Sequence, residues 1–569
     1  MRIERRSVPR SPLLDFPDLH PVLRRVYAAR GVQSPDELDL RLTGLLAPQL
    51  AGLEAAVDLL ISARASDQSV LVVGDFDADG ATGSAVAVRG LRLLGFRRVG
   101  YRVPNRFLHG YGLSPALVAE LEPAPDLILT VDNGVAAHAG IAAAHARGVR
   151  VIVTDHHLPG DSLPSADALV NPNVPGCEFP SKALAGVGVV FYLLLALRAR
   201  LRERLAFAGG EPDLAQLLDL VALGTVADLV PLDRNNRLLV QAGLKRIRAG
   251  RACAGVRALY RVAGRDPSRA SATDFGFVLG PRINAAGRLE DMAVGIECLL
   301  SDDEATAFAL AQRLHALNAE RRELQQQMVE QAEAAVLRAD FSAQAHVSAG
   351  LALADAGWHA GVVGLVASKL KERLHRPVFA LAPGDEEGRE WKGSGRSIAG
   401  FHLRDCLAEI DAQHPGLMLR FGGHAMAAGL SLAEAEVERF CRVFAATVER
   451  RIDPALLAPV LLTDGELAAG EFELGLAETL REAGPFGQAF PEPLFDGVFE
   501  VLDWRLMGER HLRFSLRHPD SRIPLSAVYF GGWTGSPPPR QVHLAYQLGS
   551  DDYRGAPELR LYVRHLLPA

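Results

Sequence analysis

"SVLVVGDFDADGATGS", Ser69 to Ser84, joins a short apolar run rich in β-branched residues to three aspartates at alternate positions, Asp75, Asp77 and Asp79, followed by Gly80. The aspartate spacing satisfies the first half of an EF-hand calcium loop, which needs carboxylates at positions 1, 3 and 5 and a glycine at 6. The loop fails at position 12, where a bidentate glutamate is required and Val86 stands. It also follows a run that reads as a buried strand, where an EF-hand has an amphipathic helix. The aspartates therefore need partners from elsewhere in the chain.

Outward from this stretch, residues 50 to 230 alternate strand-like runs ("RVGYRVP", "DLILTVD", "VRVIVTD") with alanine-rich helical stretches. Such alternation predicts a doubly wound, parallel α/β sheet. Three runs end on aspartate: Asp75, Asp132 in "LILTVDNG" and Asp155 in "VIVTDHH". Ligands of open α/β sheets bind beyond the carboxyl ends of the strands, so these side chains should converge. A helical run, "LAQLLDLVALGTVADLVPL", carries Asp228 at its far end. Together with His156 and His157, so many carboxylates would repel one another and shift their pKa values upward unless cations neutralise them. Carboxylate-dominated ligation without thiolate suits Mn²⁺ or Mg²⁺ better than zinc. Two ions roughly 3.5–4 Å apart, bridged by a shared aspartate, would fit hydrolysis of a phosphoester. The alternative for any single member is a helix-capping aspartate or a structural histidine.

At 569 residues the chain exceeds what one core serves, and roughly two to four domains are expected. Half the residues are apolar, yet no uninterrupted run approaches the roughly 20 of a membrane span, and "MRIERRSVPRSPLLDF" lacks the apolar centre of a signal peptide. These features predict a cytoplasmic protein with no membrane partner. The five cysteines are scattered without a CxxC pair, which argues against a disulfide framework or a structural zinc site. Net charge is 61 − 68 = −7, mildly against a nucleic-acid partner. A carboxylate-lined metal site contributes part of that negative charge, so local basic clusters decide the matter better.

The pattern divides the chain into an N-terminal extension (1–45), the α/β domain (46–300), a connector helix (301–345), a second, smaller α/β domain (346–452) and a β domain (453–569). Leu310, Leu314, Leu317, Leu324 and Met328 form the connector's apolar stripe, interrupted by Arg321. In the second domain "VSAGLALA" and "RPVFALA" read as strands, and "GSGRS" and "FGGHAMAAG" as loops, the latter opening a helix. The last part, with "HLRFSLRH", "QVHLAYQLG" and "ELRLYVRHL", alternates as a small antiparallel barrel or sandwich does.

"DFDADG", "VDNG", "DHH" and the late aspartate of "GTVADLVPL" resemble the four ordered motifs of the DHH phosphoesterase superfamily. "PNRFLHGYGLS", "GPRINAAGRLEDM", "LNAERR", "WHAGVVGLVASKL", "GSGRS", "FGGHAMAAG" and "PFGQAFPEPLF" extend the likeness, in order and spacing, to the RecJ single-stranded-DNA exonucleases, from about residue 40 to the end. The resemblance implies a DHH-type domain, a DHH-associated second domain and a C-terminal OB-like barrel. It implies an enzyme that degrades single-stranded DNA from the 5′ end to mononucleotides, in DNA repair and recombination, with single-strand-binding protein as a partner. Nothing suggests more than a monomer.

By this likeness Asp77, Asp79, Asp132, His156 and Asp228 are the metal ligands, with Asp132 as bridge and Asp75 at the edge of the cluster. Asp155 would orient its neighbours, as imidazole ligands require. His157 would face the substrate phosphate, polarising an oxygen or assisting proton transfer. Arg106, Ser394 and Arg396 match positions that bind the 5′ phosphate, a task suited to arginine's planar fork. Tyr111 either stacks on a base or is a half-buried core aromatic. Arg282 and Arg288 either neutralise phosphates or pair with Glu290 and Asp291. His424 meets phosphate or sits in an ordinary loop. In the β domain His511, Arg513, Arg560, Tyr562 and Arg564 form either a strand-binding groove or a solvated face.

Two rival functions remain at this level. A DHH phosphoesterase for short oligonucleotides, cyclic dinucleotides or pyrophosphate needs only two α/β units, whereas this chain adds an N-terminal extension, a long connector and a β domain suited to a longer strand. A catalytically inactive replication scaffold should have lost metal ligands, and all four motifs are intact.

Overall fold

Val70–Val73 (β1), Val99–Arg102 (β2), Leu127–Val131 (β3), Arg150–Thr154 (β4) and Ala168–Val170 (β5) draw mainly on valine, leucine and isoleucine, the composition of strands covered on both faces. In the computed structural model, which describes every residue except 106–108, 208, 343–347, 386–387 and 552–554, they form a parallel sheet ordered β2-β1-β3-β4-β5. The chain moves one way from β1 to β2 and the other way to β3. That reversal opens a crevice beyond the carboxyl ends of β1 and β3, where Asp75 and Asp132 emerge.

Helix α1 (Ala78–Leu93) leaves this crevice and is buried along most of its length against α2 (Gly186–Glu203) and α3 (Leu218–Ala227). Glycine permits the approach: a Cβ on Gly224 would stand 2.1 Å from Thr82 Oγ1 and 3.0 Å from Asp79 Oδ1. After a π turn at Phe275–Leu279, α4 (Gly280–Leu289) packs beside α1 and α3, and the Asn284 side chain accepts the Ala78 N–H at 2.7 Å. The connector is one helix, α5 (Glu304–Ser342). Its stripe faces inward, with Leu314 and Met328 buried, and Arg321 is accommodated by donating to Asn318 and Gln325 of the same helix.

By packing, the described chain falls into two compact units: residues 3–315 with 462–569, and 316–461 with Met1–Arg2. In the smaller unit Leu351–Ala354 (β6), Val378–Pro383 (β7), Glu390–Arg396 (β8), Arg420–Gly423 (β9) and Ala427–Ala433 (β10) form a mixed sheet ordered β9-β10-β8-β7-β6, with α6 (Val363–Leu374) against it. Two expected loops are corrected. "GSGRS" is the end of β8, an inner strand paired on both sides, where a Cβ on Gly395 would meet Phe379 at 2.4 Å. The glycines there make room for a ring. "FGGHAMAAG" is the β9–β10 hairpin, so His424 stands in a strand turn, its N–H donating to the Ala427 carbonyl at 2.8 Å, and opens no helix.

The larger unit ends in a closed barrel of Phe495–Met507 (β11), His511–Arg517 (β12), Pro524–Tyr529 (β13), Gln541–Asp551 (β14) and Glu558–Pro568 (β15), which decides between barrel and sandwich. The alternation holds: Leu512, Phe514, Leu516, Val542, Leu544 and Tyr546 are buried inside it. The N-terminal residues pack against the segment that precedes the barrel. Arg30 makes a two-pronged pair with Asp464 at 2.8 and 3.0 Å, both side chains 1% exposed, and Tyr27 donates to the Ala483 carbonyl. Among the described residues no helix is long and apolar enough to cross a membrane.

Candidate active site

The crevice gathers Asp75, Asp77, Asp79, Asp132, His156, His157 and Asp228 into three overlapping groups, each with donor atoms within 4.8 Å of one another. Each arrives by a local rule. Asp77 is the N-cap of α1, one oxygen accepting the N–H groups of Asp79 and Gly80 at 2.9 and 3.0 Å. Asp79 lies in the first turn, where the α2 N-terminus meets it: the Gly186 and Val187 amides donate to its two oxygens at 2.6 and 2.9 Å. Asp132 follows β3 with a φ of +62°, a left-handed conformation that aspartate tolerates better than most residues. Asp228 caps the far end of α3.

Asp155 does not face the cluster but braces it. One oxygen accepts the His156 and His157 amides and His157 Nδ1 (2.7, 3.1 and 2.8 Å), and the other accepts the Val135 amide at 2.8 Å. Burial would raise its pKa, yet the hydrogen bonds and the His157 charge leave it below the ordinary value. His157 is opposed by burial too, but Asp155, with Asp75 and Asp77, raises its pKa. Burial also lowers His156, to about 4, a ring held neutral.

The fit to a cation shows in one contact. His156 Nε2 and Asp132 Oδ1 are buried and 3.0 Å apart, with Asp228 Oδ2 3.5 Å from the same nitrogen, yet neither atom makes a hydrogen bond. A lone pair facing two carboxylates is unfavourable unless a positive charge lies among them. The carboxylates agree: burial, then mutual repulsion, pushes Asp79 to about 7 and raises Asp132 and Asp228 well above the usual range. Oxygen-rich donors with one or two imidazoles fit Mn²⁺ or Mg²⁺.

Tyr111 is 53% exposed and so is no core aromatic; its hydroxyl donates to the Asp132 carbonyl at 3.1 Å, and its ring meets Phe76 and His157 edge-on. In the smaller unit Arg396 donates to the Ser394 hydroxyl at 3.1 Å, and Gly364, in the first turn of α6, lies against both side chains. Among the described residues no carboxylate pairs with Arg396, whose pKa is lowered by burial alone. A guanidinium, a hydroxyl and a helix N-terminus together could hold an anion. Arg106 lies outside the described residues.

Models of three families match the chain: the DHH family N-terminal domain over residues 69–225, the DHHA1 domain over 344–450 and the RecJ OB domain over 463–565. The single-stranded-DNA-specific exonuclease RecJ of Dickeya dadantii is 53% identical over 97% of both chains. The chain belongs to the RecJ family. Two crystal structures of RecJ from Thermus thermophilus, one with Mn²⁺ and one with Mg²⁺, superpose over the whole chain and about four-fifths of theirs, at TM-scores of 0.82 and 0.77 and identities of 33% and 31%.

Within this RecJ-family site, several supports were not anticipated from the motifs. Asn171 and Asn173 hold the His157 and His156 carbonyls at 2.8 and 2.6 Å, and Asn133 ties β1 to β3 through the Val73 and Val131 carbonyls. "NPN" immediately after a strand end was the available signal. Arg282 donates to the Val278 carbonyl and to His315, while Glu290 pairs with Arg313. Arg288, on α4, is half-buried. His424 is exposed in its turn. On the barrel, Arg560 is corrected: it is mostly buried and paired with Asp551, because β14 and β15 run side by side there. Arg564 is exposed, and Tyr562 donates to the Ser550 carbonyl.

Proposed function

We propose that this chain is a metal-dependent exonuclease that degrades single-stranded DNA from the 5′ end to mononucleotides, acting in DNA repair and recombination. The observation that carries it is the buried His156 Nε2 lying 3.0 Å from Asp132 and 3.5 Å from Asp228 without a hydrogen bond to either, in a chain of this family. Asp77, Asp79, Asp132, His156 and Asp228, with Asp75 at the margin, would hold Mn²⁺ or Mg²⁺. When bound, such ions supply Lewis acidity and a water acidic enough to attack a phosphodiester.

The chain's own groups do the rest. Asp155 holds the His156–His157 backbone and leaves His157 Nε2 for a phosphoryl oxygen or a proton. Tyr111 offers an open ring face to the terminal base. Ser394 and Arg396 bind the 5′ phosphate, with Arg106, Arg282, Arg288 and His424 as further phosphate contacts. We assign catalysis to residues 46–300, end recognition to 346–452 and strand binding to the barrel. The protein acts as a cytoplasmic monomer, with single-strand-binding protein as a partner.

The test uses purified protein, Mn²⁺ and single- or double-stranded DNA labelled at either end. Release of mononucleotides from the 5′ end of single strands is expected. Cleavage confined to dinucleotides or cyclic dinucleotides, or no metal-dependent cleavage, would overturn the assignment.

A further inference from the structure

Helices α1 and α3 carry three of the metal-ligand candidates at one end and reach a different cavity at the other. α1 starts at Asp77 and Asp79 and closes on Arg89 and Arg92, about 20 Å away at the helical rise of about 1.5 Å per residue. α3 starts beside Leu217 and Leu220 and ends at Asp228. Arg89, Arg92, Leu217 and Leu220 line a cavity of about 490 Å³ together with Arg246, Arg257 and Leu300. None of these residues serves the catalytic crevice.

The cavity is built for negative charge. Four arginines line it against one carboxylate, Asp302, which pairs with Arg89 at 2.8 Å and whose side chain is 86% exposed. Arg257 pairs with Glu304, also an exposed acid. Arg92 and Arg246 make no ion pair among the described residues: Arg92 donates to the Val99 carbonyl at 3.2 Å, and Arg246 Nε is buried with no hydrogen-bond partner. Asp219, the buried carboxylate whose charge reaches Arg246, has both oxygens engaged by the Leu220 and Cys253 amides, at 3.0 and 2.6 Å. The helix Ala254–Val262 begins at the wall with Ala254, so with α3 two helix N-termini add their positive ends. A buried guanidinium N–H without an acceptor is unfavourable unless an occupant supplies one.

We propose that this cavity binds a nucleoside 5′-phosphate and that its occupancy is coupled to metal binding through α1 and α3. The arginines select a phosphorylated anion, and their planes stack on flat rings. The volume is that of a small-molecule site, and Leu217, Leu220 and Leu300 offer apolar surface that an inorganic anion would leave unused. Two sources share this chemistry: the mononucleotide released by the reaction and a free nucleoside triphosphate. Coupling follows because an occupant drawing on Arg89 and Arg92 pulls on the helix whose first turn holds Asp77 and Asp79. The binding site stands apart from the exonuclease reading, whereas the coupling rests on the metal assignment within it.

Calorimetric titrations of the full-length protein with dAMP, ATP and inorganic pyrophosphate test the site, in EDTA so that the crevice holds no metal to attract phosphate. Submillimolar binding of dAMP or ATP is expected, and the tighter of the two identifies the source. Arg92→Ala and Arg246→Ala should each weaken it about tenfold or more, the scale of one hydrogen bond to a charged group, whereas Arg396→Ala should not. Arg92 is exposed, so its removal spares the core. The melting temperature checks Arg246→Ala, and Arg246→Lys should recover part of the affinity. With free Mn²⁺ controlled at each point, saturating nucleotide should shift the Mn²⁺ concentration that half-activates DNA cleavage about fivefold or more in wild-type protein and not in Arg92→Ala. No binding, binding lost in Arg396→Ala but kept in Arg92→Ala, or pyrophosphate binding as tightly as either nucleotide would overturn the site. Binding with unchanged Mn²⁺ dependence would overturn the coupling. A wild-type protein that cleaves no DNA would overturn the exonuclease reading instead, and the titrations would still decide the site.

Discussion

Asp132 meets several demands at once: it leaves β3 in a left-handed conformation, presents one oxygen to His156, and is pressed by the α2 terminus. Asp132→Ala should therefore reduce nuclease activity below a tenth of wild type while circular dichroism and melting stay close to native; higher residual activity would contradict the bridging role. In the smaller unit, Arg396→Ala should leave hydrolysis in place but weaken the preference for 5′-phosphorylated over 5′-hydroxyl strands, since the Arg396 guanidinium lies on the Ser394 hydroxyl. An unaltered ratio would remove the pocket assignment. The acids and histidines of the crevice were legible because strand ends in a parallel sheet converge by topology, so position along the chain predicts position in space. Asn171, Asn173 and Gly186 were not, because they act through backbone contacts between segments whose separation in sequence says nothing of their approach.

At the scale of elements, the N-terminus of α2 is part of the site's construction. Its first two amides hold Asp79, and a Cβ on Gly186 would stand 2.5 Å from Asp132 Cβ and 2.8 Å from its Cα. Gly186→Ala should displace α2 or Asp132. Stability should fall by about 1–3 kcal/mol, the usual cost of overpacking. Activity should fall about 100-fold, the scale of a 1 Å misplacement at a reacting centre. Denaturant unfolding and Mn²⁺-dependent kinetics on the same preparation separate the two effects, and full activity would show that α2 is not held against the ligand. The same backbone approach explains which elements the sequence misrepresents. Strands β1, β3 and β4 read directly from valine, isoleucine and leucine runs, whereas β8 ends in "GSGR", which reads as a loop. Glycine marks a turn or a crowded strand with the same letter, and only the facing Phe379 ring decides between them.

For the whole molecule, folding and metal binding are linked through protons in one crevice. Asp79 titrates near 7 in the fold against 3.8 unfolded, and Asp132 and Asp228 are displaced in the same direction, by burial first and by neighbouring carboxylates second. A raised carboxylate binds more protons folded than unfolded, so its contribution to stability is present at low pH and is lost as pH rises from about 4 to about 7. Mn²⁺ or Mg²⁺ needs the ionised carboxylates and must displace those protons. Metal-induced stabilisation should therefore grow across this window, and the protein stripped with EDTA should fall further behind the Mn²⁺-loaded protein at pH 8 than at pH 5 in thermal melts. Calorimetric titration with Mn²⁺ in buffers of different ionisation enthalpy should show proton release at pH 6 that diminishes above pH 7. A metal-induced shift in melting temperature independent of pH, with no proton release, would mean that the carboxylates are already ionised without metal and that burial does not govern this cluster.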